Sequence, residues 1–249
     1  MIATIKHKFN TYKIDLTQPL DISIPIRDGS KNVNAWYIGP PKIQPEVFEG
    51  DTISVAEGAS VNFNTITFNP HAHGTHTETA GHVLEKTYSI NKKLKQFFFL
   101  AELITVAPEK FMKDMIISKK QLEFALKRKD VEAVVVRTIP NTKDKKVRQY
   151  SYTNWPYFKK DAIEFLVSKG VKHLLIDLPS VDRERDGGEL NGHHAFWDTN
   201  GTIREDATIT ELIYVPNRIK DGSYFLNLQI APFHNDATPS KPILYRIEN

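Results

Sequence analysis

The stretch from residue 97 to residue 177 constrains the fold of this chain most, because strand-like and helix-like patterns alternate along it. Three apolar runs with the length of buried strands are Phe97–Val106, Val131–Thr138 and Val171–Asp177. Between them lie two runs with helical spacing of apolar residues, Lys119–Lys129 behind the N-cap Ser118 and Lys159–Ser168 ending at Gly170. A strand, a helix and a second strand in this order indicate one crossover unit within a mixed sheet.

Further strands are predicted on both sides of this stretch. Alternating apolar and polar residues mark Lys13–Leu16, Leu20–Ile26, residues 208–216 and residues 224–231. Asp221-Gly222 is typical of a hairpin turn between the last two strands. Residues 27–50 are rich in Gly and Pro and predict a long irregular connection, which is followed by a hairpin of Asp51–Ser60 with Val61–Phe68. We expect one β-rich α/β domain spanning residues 1–249.

The composition restricts the kinds of partner. The net charge of +3 is small, and the basic run 143–148 has no interleaved aromatic residue, so we interpret it as a solvated loop and exclude a nucleic-acid interface. The absence of cysteine excludes disulfides and thiolate metal ligands. Residues 1–15 lack a signal-peptide core, and the most apolar run, Phe97–Ala107, contains Glu102 and is too short to cross a bilayer. We expect a cytoplasmic protein without a membrane partner.

Four of the nine histidines fall within residues 71–82, together with one carboxylate. In an extended strand, side chains alternate between two faces, so His76 and Glu78 would share a face, as would His71 and His73. Imidazole and carboxylate are the ligands that Zn²⁺ and similar ions bind when no thiolate is present. The spacing excludes the helical His-Glu-x-x-His pattern of zincins. The sequence therefore favours a metal or catalytic site over the alternative, a polar surface loop.

A second polar cluster follows the strand that ends at Asp177. Ser180 and Asp182 come directly after it, and the pair His193-His194 lies further along the chain. Polar residues at the carboxyl end of a strand in an α/β sheet commonly line a site. Glu211 lies within an otherwise apolar strand, where an inward-facing carboxylate needs a cation or hydrogen bonds. The alternative for Glu211 is the solvent face of that strand.

The order of these motifs resembles the metal-dependent cyclases and kynurenine formamidase-like hydrolases, a family that includes isatin hydrolases. The core pattern of that family, Gly-Thr-His-x-Asp-x-x-x-His, is matched here by residues 74–82. The downstream elements also match in order: Ile176-Asp177-x-x-Ser180-x-Asp182, then a histidine, then a glutamate in a strand, then Ser240-Lys-Pro242. The resemblance as a whole covers about residue 15 to residue 246. The resemblance implies a swivelling β/β/α fold with a barrel-like mixed sheet and flanking helices. It also implies a homo-oligomer, either a dimer or a tetramer.

The resemblance implies roles for individual residues. His76 and Glu78 correspond to ligands of a divalent ion, and Glu211 corresponds to a further ligand that can hold a second ion. His82, the last residue of the motif, corresponds to the residue that transfers protons. For the downstream histidine ligand we choose His193 over His194, because the apolar residues that the family has three and four positions later match only from His193.

Two departures from the family pattern affect the first ligand and the acid. The family has a histidine four residues before the central one, where this chain has Ala72. His71 and His73 flank that position, and we favour His71 as the ligand. Glu78 replaces the family's Asp, and Ala80 stands where the family has Pro. The chain is therefore expected to represent a divergent subfamily.

The expected reaction is hydrolysis of an amide, lactam or formamide C–N bond in a small molecule by metal-activated water. One or two ions per subunit are expected, Zn²⁺ first, with Mn²⁺ or Mg²⁺ as alternatives. His82 would move the proton from the water to the leaving nitrogen, since an imidazole of ordinary pKa suits both directions. Two other classes stay open: a metal-dependent lyase or dehydratase, and a binding protein that keeps the scaffold without activity.

Overall fold

The computed structural model describes residues 1–128 and 130–248, and most of its regular structure is β-sheet. The strands are β1 (Ile2–His7), β2 (Asn10–Asp15), β3 (Leu20–Asp21), β4 (Lys42–Pro45), β5 (Val47–Phe48), β6 (Asp51–Thr52), β7 (Asn64–Thr67), β8 (His76–Glu78), β9 (Phe98–Val106), β10 (Glu109–Phe111), β11 (Asp114–Ile117), β12 (Ala133–Thr138), β13 (Tyr157–Phe158), β14 (His173–Ile176), β15 (Thr208–Glu211), β16 (Gly222–Ile230) and β17 (Ala237–Glu248). The helices are α1 (Pro70–His73), α2 (Ile90–Lys93), α3 (Lys119–Ala125), α4 (Lys160–Ser168) and α5 (Asn191–Trp197).

Seven strands form a closed, barrel-like sheet in the order β17-β16-β9-β12-β14-β15-β8, with β8 pairing back onto β17. The short strand β8 closes this ring because it pairs with both β15 and β17, in each case antiparallel. Glu211 of β15 lies opposite His76, and Ala237 of β17 lies opposite Glu78. Strands β2 and β3 extend the sheet from β17, and β1 follows β2. The mixed, barrel-like architecture expected for this chain is confirmed.

The parallel strands β9, β12, β14 and β15 form one side of the barrel, and the connections between them contain α3, α4 and α5. The expected crossover unit is therefore present and is followed by two more. Alternation along β12 explains the layering: Val134 and Val136 pack with the helices, whereas Val135 packs on the opposite face of the sheet. Both sides of this strand are apolar because both faces of the parallel sheet are covered.

Both predicted helices exist, with small shifts at their ends. Helix α3 begins after Ser118, as predicted, but ends at Ala125, and the predicted terminal residue Lys129 lies outside the described residues. Helix α4 begins one residue later than predicted, because Lys159 takes an extended conformation as its N-cap. Among the described residues, no helix is long and apolar enough to cross a membrane.

Both predicted hairpins are wrong. Strands β15 and β16 do not pair; β16 lies between β9 and β17, and Asp221 instead accepts hydrogen bonds from the backbone and side chain of Thr105. The hairpin expected within residues 51–68 is replaced by a longer one, in which β4 pairs with β7. Its first strand, β4, lies inside the connection that was predicted to be irregular. The strand was missed because a proline, Pro45, is its last residue and proline is uncommon in strands.

The basic run 143–148 is not a solvated loop throughout. It contains a short 3₁₀ helix in which Lys145 is buried and donates hydrogen bonds to Thr138 and Asp177. Arg148 pairs with Asp144 within the same run. Local composition does not reveal that Lys145 is buried, because its acceptor Asp177, directly after β14, is more than 30 residues away in the chain.

The pH dependence of folding stability is expected to reflect His173 on β14. This side chain is 3% exposed, its Nδ1 lies 2.9 Å from Thr208 Oγ1, and its ring centroid lies 3.9 Å from that of Phe99. Burial lowers the pKa of His173 to about 3. In the unfolded chain the pKa is about 6.5, so only the unfolded state takes up this proton between the two values.

We therefore predict that His173 adds no pH dependence to the free energy of unfolding above about pH 6.5. Below that value it should make the free energy of unfolding fall with pH, by at most about 1.4 kcal/mol per pH unit. Urea unfolding between pH 7.5 and pH 4.5 measures this slope. His173→Gln, which can still bond to Thr208 but does not titrate, should show a shallower slope than the wild type. Equal slopes for the two proteins would contradict the prediction.

Candidate metal centre

The His-rich stretch contains a helical turn followed by a strand, and this change of conformation positions its histidines. Asn69 caps the turn by accepting a hydrogen bond from the backbone N–H of His71, and Pro70 occupies the first helical position. The expectation of an extended chain is therefore wrong for residues 70–73 and right for β8. Gly74 lies between the two segments, where a Cβ would be 3.0 Å from the carbonyl oxygen of Ile24. The missing side chain lets the stretch pack directly against that segment.

Three donor atoms in this stretch are buried and lack a hydrogen-bond partner among the described residues. They are Nδ1 of His71, Nε2 of His76 and Oε2 of Glu78. Each of the three residues offers a donor atom within 4.8 Å of the other two. His71 Nδ1 lies 3.0 Å from Glu78 Oε2, but the two atoms do not meet in hydrogen-bond geometry. Ligand atoms about 2 Å from a tetrahedral ion lie about 3.5 Å apart, so this set fits a divalent cation.

The other ring nitrogen of each ligand histidine is hydrogen-bonded. His76 Nδ1 lies 3.0 Å from the carbonyl oxygen of Gly74, and His71 Nε2 lies 3.1 Å from Asp236 Oδ2. Both partners are acceptors, so the nitrogen that faces them carries the proton. The nitrogen that faces the metal position is then the one that an ion would bind, displacing any proton from it.

His193 and Glu211 lie on the other side of Glu78. His193 Nε2 lies 3.1 Å from Glu78 Oε1 and 3.8 Å from Glu211 Oε1. Glu211 Oε2 lies 3.4 Å from His76 Nε2, and the backbone N–H of Val181 donates to Glu211 Oε1. Glu211 therefore faces inward, not toward solvent. Glu78 faces both groups of ligands, one oxygen toward each.

Asp182 holds His193 in place. It accepts hydrogen bonds from the backbone N–H groups of Gly192 and His193, and its Oδ2 lies 2.6 Å from His193 Nδ1. A Cβ at Gly192 would lie 2.9 Å from Asp182 Oδ1, so this contact needs glycine at that position. Nε2 of His193 is thereby directed at the carboxylates.

His82 lies at the open side of the cluster, with 30% of its side chain exposed. Its Nδ1 is 3.4 Å from Asp236 Oδ2 and 3.9 Å from Glu78 Oε2. Its ring stacks on that of His71 with centroids 4.2 Å apart. Thus the ring nearest to solvent is also next to the candidate ligands, which suits a residue that exchanges protons with a substrate.

The buried charges shift the pKa values of their neighbours in opposite directions. Burial lowers the pKa of His71, but the hydrogen bond to Asp236 and the negative charges of Glu78 and Asp236 outweigh it and raise the pKa to about 10. Burial raises the pKa of Glu78, yet the surrounding histidines hold it well below its usual range. Burial and the charge of Glu78 together raise the pKa of Glu211. The carboxylates and imidazoles of the cluster therefore interact strongly with one another.

Two histidines that the sequence left as alternatives lie outside this cluster. His73 Nδ1 accepts a hydrogen bond from the backbone of Asn69, and its Nε2 lies 2.9 Å from the carbonyl oxygen of Gly39. His194 bonds to Thr199 on the far side of α5. Asp236, in contrast, belongs to the cluster and was missed by the sequence analysis. Its only sequence signal is a position directly before a strand that was not predicted.

We predict that substitution at His71 or His76 abolishes metal binding and that substitution at His73 does not. His71→Gln and His76→Gln each remove an imidazole lone pair from the three-atom set. His73→Gln alters the same turn without touching that set. Metal analysis of protein exposed to Zn²⁺ and then desalted should give at least about one equivalent for the wild type and His73→Gln. Equal loss in His73→Gln and His71→Gln would contradict this assignment.

The chain is similar in sequence and in fold to known proteins. The kynurenine formamidase of Bacillus cereus (strain ATCC 14579) is 26% identical over 236 residues, which cover 93% of this chain and 96% of that protein. Among solved structures, a potential metal-dependent hydrolase with cyclase activity superposes with a TM-score of 0.64 at 17% identity, covering 93% of this chain and 99% of that one. Isatin hydrolase A from Labrenzia aggregata gives a TM-score of 0.67 at 12% identity, covering 93% and 94%. These likenesses confirm the fold.

The Cyclase family matches residues 14–183, which include α1, β8, β14 and Asp182. The match spans more than half of the chain. It contains the three-atom set, His82 and the carboxylate that holds His193. This protein therefore belongs to the Cyclase family.

Proposed function

We propose that this protein is a metal-dependent hydrolase that cleaves the C–N bond of a formamide, amide or lactam in a small molecule. The observation that carries the proposal is the set of three unpartnered buried atoms on His71, His76 and Glu78 beside the accessible ring of His82. A kynurenine formamidase that matches over 96% of its length supports the C–N bond as the target. Membership of the Cyclase family is consistent with it.

His71, His76 and Glu78 would hold the ion, and we propose Zn²⁺, because two imidazoles and one carboxylate without thiolate suit that ion. When bound, a divalent ion polarises a carbonyl oxygen and lowers the pKa of a coordinated water from about 16 toward about 7. We propose Glu78, His193 and Glu211 as a second set. Among the described residues, Glu211 joins no group of three ligand atoms within 4.8 Å of one another, and the ring of His193 is hydrogen-bonded to Glu78. We infer that this set takes a second ion only when that bond opens.

His82 is the proposed proton-transfer residue. Its Nδ1 faces Asp236 at 3.4 Å, so Nε2 is the nitrogen left to accept a proton from water and return it to the leaving amine. The stack on His71 keeps the ring within reach of the ligands. In formamide cleavage the C–N bond breaks and the oxygen of water enters the formate. The leaving nitrogen takes up one proton of that water and departs as the neutral amine.

We also propose a cytoplasmic setting without a nucleic-acid partner. Two of the cations in the run 143–148 are already paired with carboxylates of this chain, Lys145 with Asp177 and Arg148 with Asp144. Few cations there are left for phosphate contacts, and the run has no aromatic residue for base stacking.

A homo-oligomer is proposed from an apolar arm, defined as residues 42–67, which contains the β4–β7 hairpin. Six of its apolar side chains are more than half exposed: Val47, Phe48, Val55, Val61, Phe63 and Ile66. Together they present on the order of 500 Å² of apolar surface, a large part of the roughly 800 Å² that each partner buries in a standard interface. The arm leads directly into α1, which carries His71.

The activity prediction concerns His82. Zinc-loaded protein should release formate from an N-formyl arylamine, and ¹⁸O from labelled water should appear in that formate. His82→Asn should lower kcat about 10²- to 10⁴-fold while retaining the metal, because it removes the proton acceptor but no ligand. His194→Asn is the matched control and should keep full activity. An unsaturated product without ¹⁸O would indicate a lyase, and binding without turnover would indicate a non-catalytic protein.

The assembly prediction concerns the apolar arm. Light scattering during size-exclusion chromatography should show a dimer or a tetramer for the wild type at micromolar concentration. The double variant Phe48→Ser/Phe63→Ser should shift the protein toward the monomer, because it removes the two largest exposed side chains of the arm. Phe124→Ser, at a comparably exposed position on α3, serves as the control. A monomeric wild type would contradict the proposal.

A further inference from the structure

We propose that Asp236 is a positioning residue of this site, whose single oxygen Oδ2 sets the tautomers of both His71 and His82. The part of the proposal that concerns catalysis rests on the proposed hydrolase function. The part that concerns ring orientation depends only on the contacts of Asp236. Glu78 Oε2 also lies near both rings, but it is 3.9 Å from His82 Nδ1, whereas Asp236 Oδ2 is 3.4 Å from that atom.

One oxygen atom serves the two histidines. Asp236 Oδ2 lies 3.1 Å from His71 Nε2 and 3.4 Å from His82 Nδ1. The two rings stack with centroids 4.2 Å apart and planes 28° from parallel. A shared acceptor at the edge of a stacked pair fixes both rings at once, so the proposed ligand and the proposed proton-transfer residue are held as one unit.

The contacts determine which nitrogen of each ring carries hydrogen. A carboxylate only accepts hydrogen bonds, so the nitrogen that faces Asp236 must be an N–H. In His71 this leaves Nδ1, the atom 3.0 Å from Glu78 Oε2, as the nitrogen whose lone pair a bound ion would take in place of a proton. In His82 it leaves the lone pair on Nε2. Without Asp236, each neutral ring could place its proton on either nitrogen, and three of the four combinations would point an N–H at the metal or the substrate.

The same contacts distinguish Asp236 from a metal ligand. His71, His82 and Asp236 lie close enough together to hold an ion. However, His71 Nε2 is already hydrogen-bonded to Asp236, whereas the donor atoms of His71, His76 and Glu78 are unpartnered. The unpartnered set is therefore the proposed metal site. Asp236 orients the rings of His71 and His82 by contacting the nitrogens that do not face the ion or the substrate.

The backbone of the His-rich motif holds Asp236 in this place. The carbonyl oxygen of Asp236 accepts hydrogen bonds from the backbone N–H of Thr79 at 3.1 Å and from its hydroxyl at 3.3 Å. A Cβ at Gly81 would lie 3.3 Å from Asp236 Cβ and 2.9 Å from the backbone nitrogen of Tyr88. The glycine of the motif therefore leaves the room that Asp236 occupies. Ala237 then enters β17 opposite Glu78.

The test compares Asp236→Asn and Asp236→Glu with the wild type, all loaded with Zn²⁺. Long-range ¹H–¹⁵N spectra report which ring nitrogen of each histidine carries hydrogen. The wild type should show Nε2–H for His71 and Nδ1–H for His82. Asp236→Asn can present its NH₂ group instead of an acceptor, so the His82 signal should move toward the other tautomer. Asp236→Glu keeps an acceptor and should restore part of the wild-type pattern.

The kinetic measurement uses the N-formyl arylamine. Asp236→Asn should lower kcat about 10- to 100-fold with KM within about twofold, since loss of such an orienting partner has effects of this size. Asp161→Asn, an exposed position on α4, is the control and should match the wild type. An unchanged His82 tautomer together with unchanged kcat in Asp236→Asn would overturn the proposal.

The two proposals fail in different ways. If no substrate is hydrolysed by the wild type, the hydrolase function is wrong, yet the spectra still test the role of Asp236. If Asp236→Asn does not fold, the wild-type spectrum alone decides, because Nε2–H on His82 would overturn the assignment. If turnover is normal and only the tautomers disagree, the positioning role alone is wrong.

Discussion

The pairing of β8 with two strands at once is the constraint on which the site depends. This three-residue strand closes the barrel, and its two neighbours each bring one carboxylate to it: Glu211 from β15 and Asp236 from the residue before β17. Because the side-chain period of a strand is two, a shift of β8 by one residue would turn His76 and Glu78 away from both. Two ladders fix the register more firmly than one. The barrel closure and the metal centre are therefore the same structural feature.

The charges at this closure are arranged so that a cation would stabilise them. Glu78 and Glu211 are both buried, and they shift in opposite directions: the histidines keep the pKa of Glu78 low, and the charge of Glu78 raises that of Glu211. Buried carboxylates at such distances are costly unless a cation or hydrogen bonds compensate. Three unpartnered atoms remain where an ion would sit. A cation bound beside these atoms would add to the stabilisation that the histidines and hydrogen bonds already give the buried carboxylates.

Much of the fold could be predicted because its signals are local. The strands β9, β12 and β14 and the helices α3 and α4 are evident from their apolar periodicity, and the crossover between parallel strands follows from their order. The predicted hairpin of β15 with β16 is wrong because proximity in sequence suggested pairing, whereas β16 pairs with β9 from more than 100 residues earlier. Turn chemistry at Asp221 indicates where the chain can bend, but the partner of a strand is decided by burial across the whole sheet.

The sequence by itself determined the ligand types, the His76–Glu78 spacing that places both on one face of a strand, and the resemblance to the family. It left His71 and His73 as alternatives, since only the helical turn at Pro70 directs one ring toward Glu78 and the other toward Gly39. Asp236 and the inward orientation of Glu211 were decided by the tertiary structure alone. Their distances to the histidines are set by strand pairing between segments more than 100 residues apart, and no local pattern contains that information.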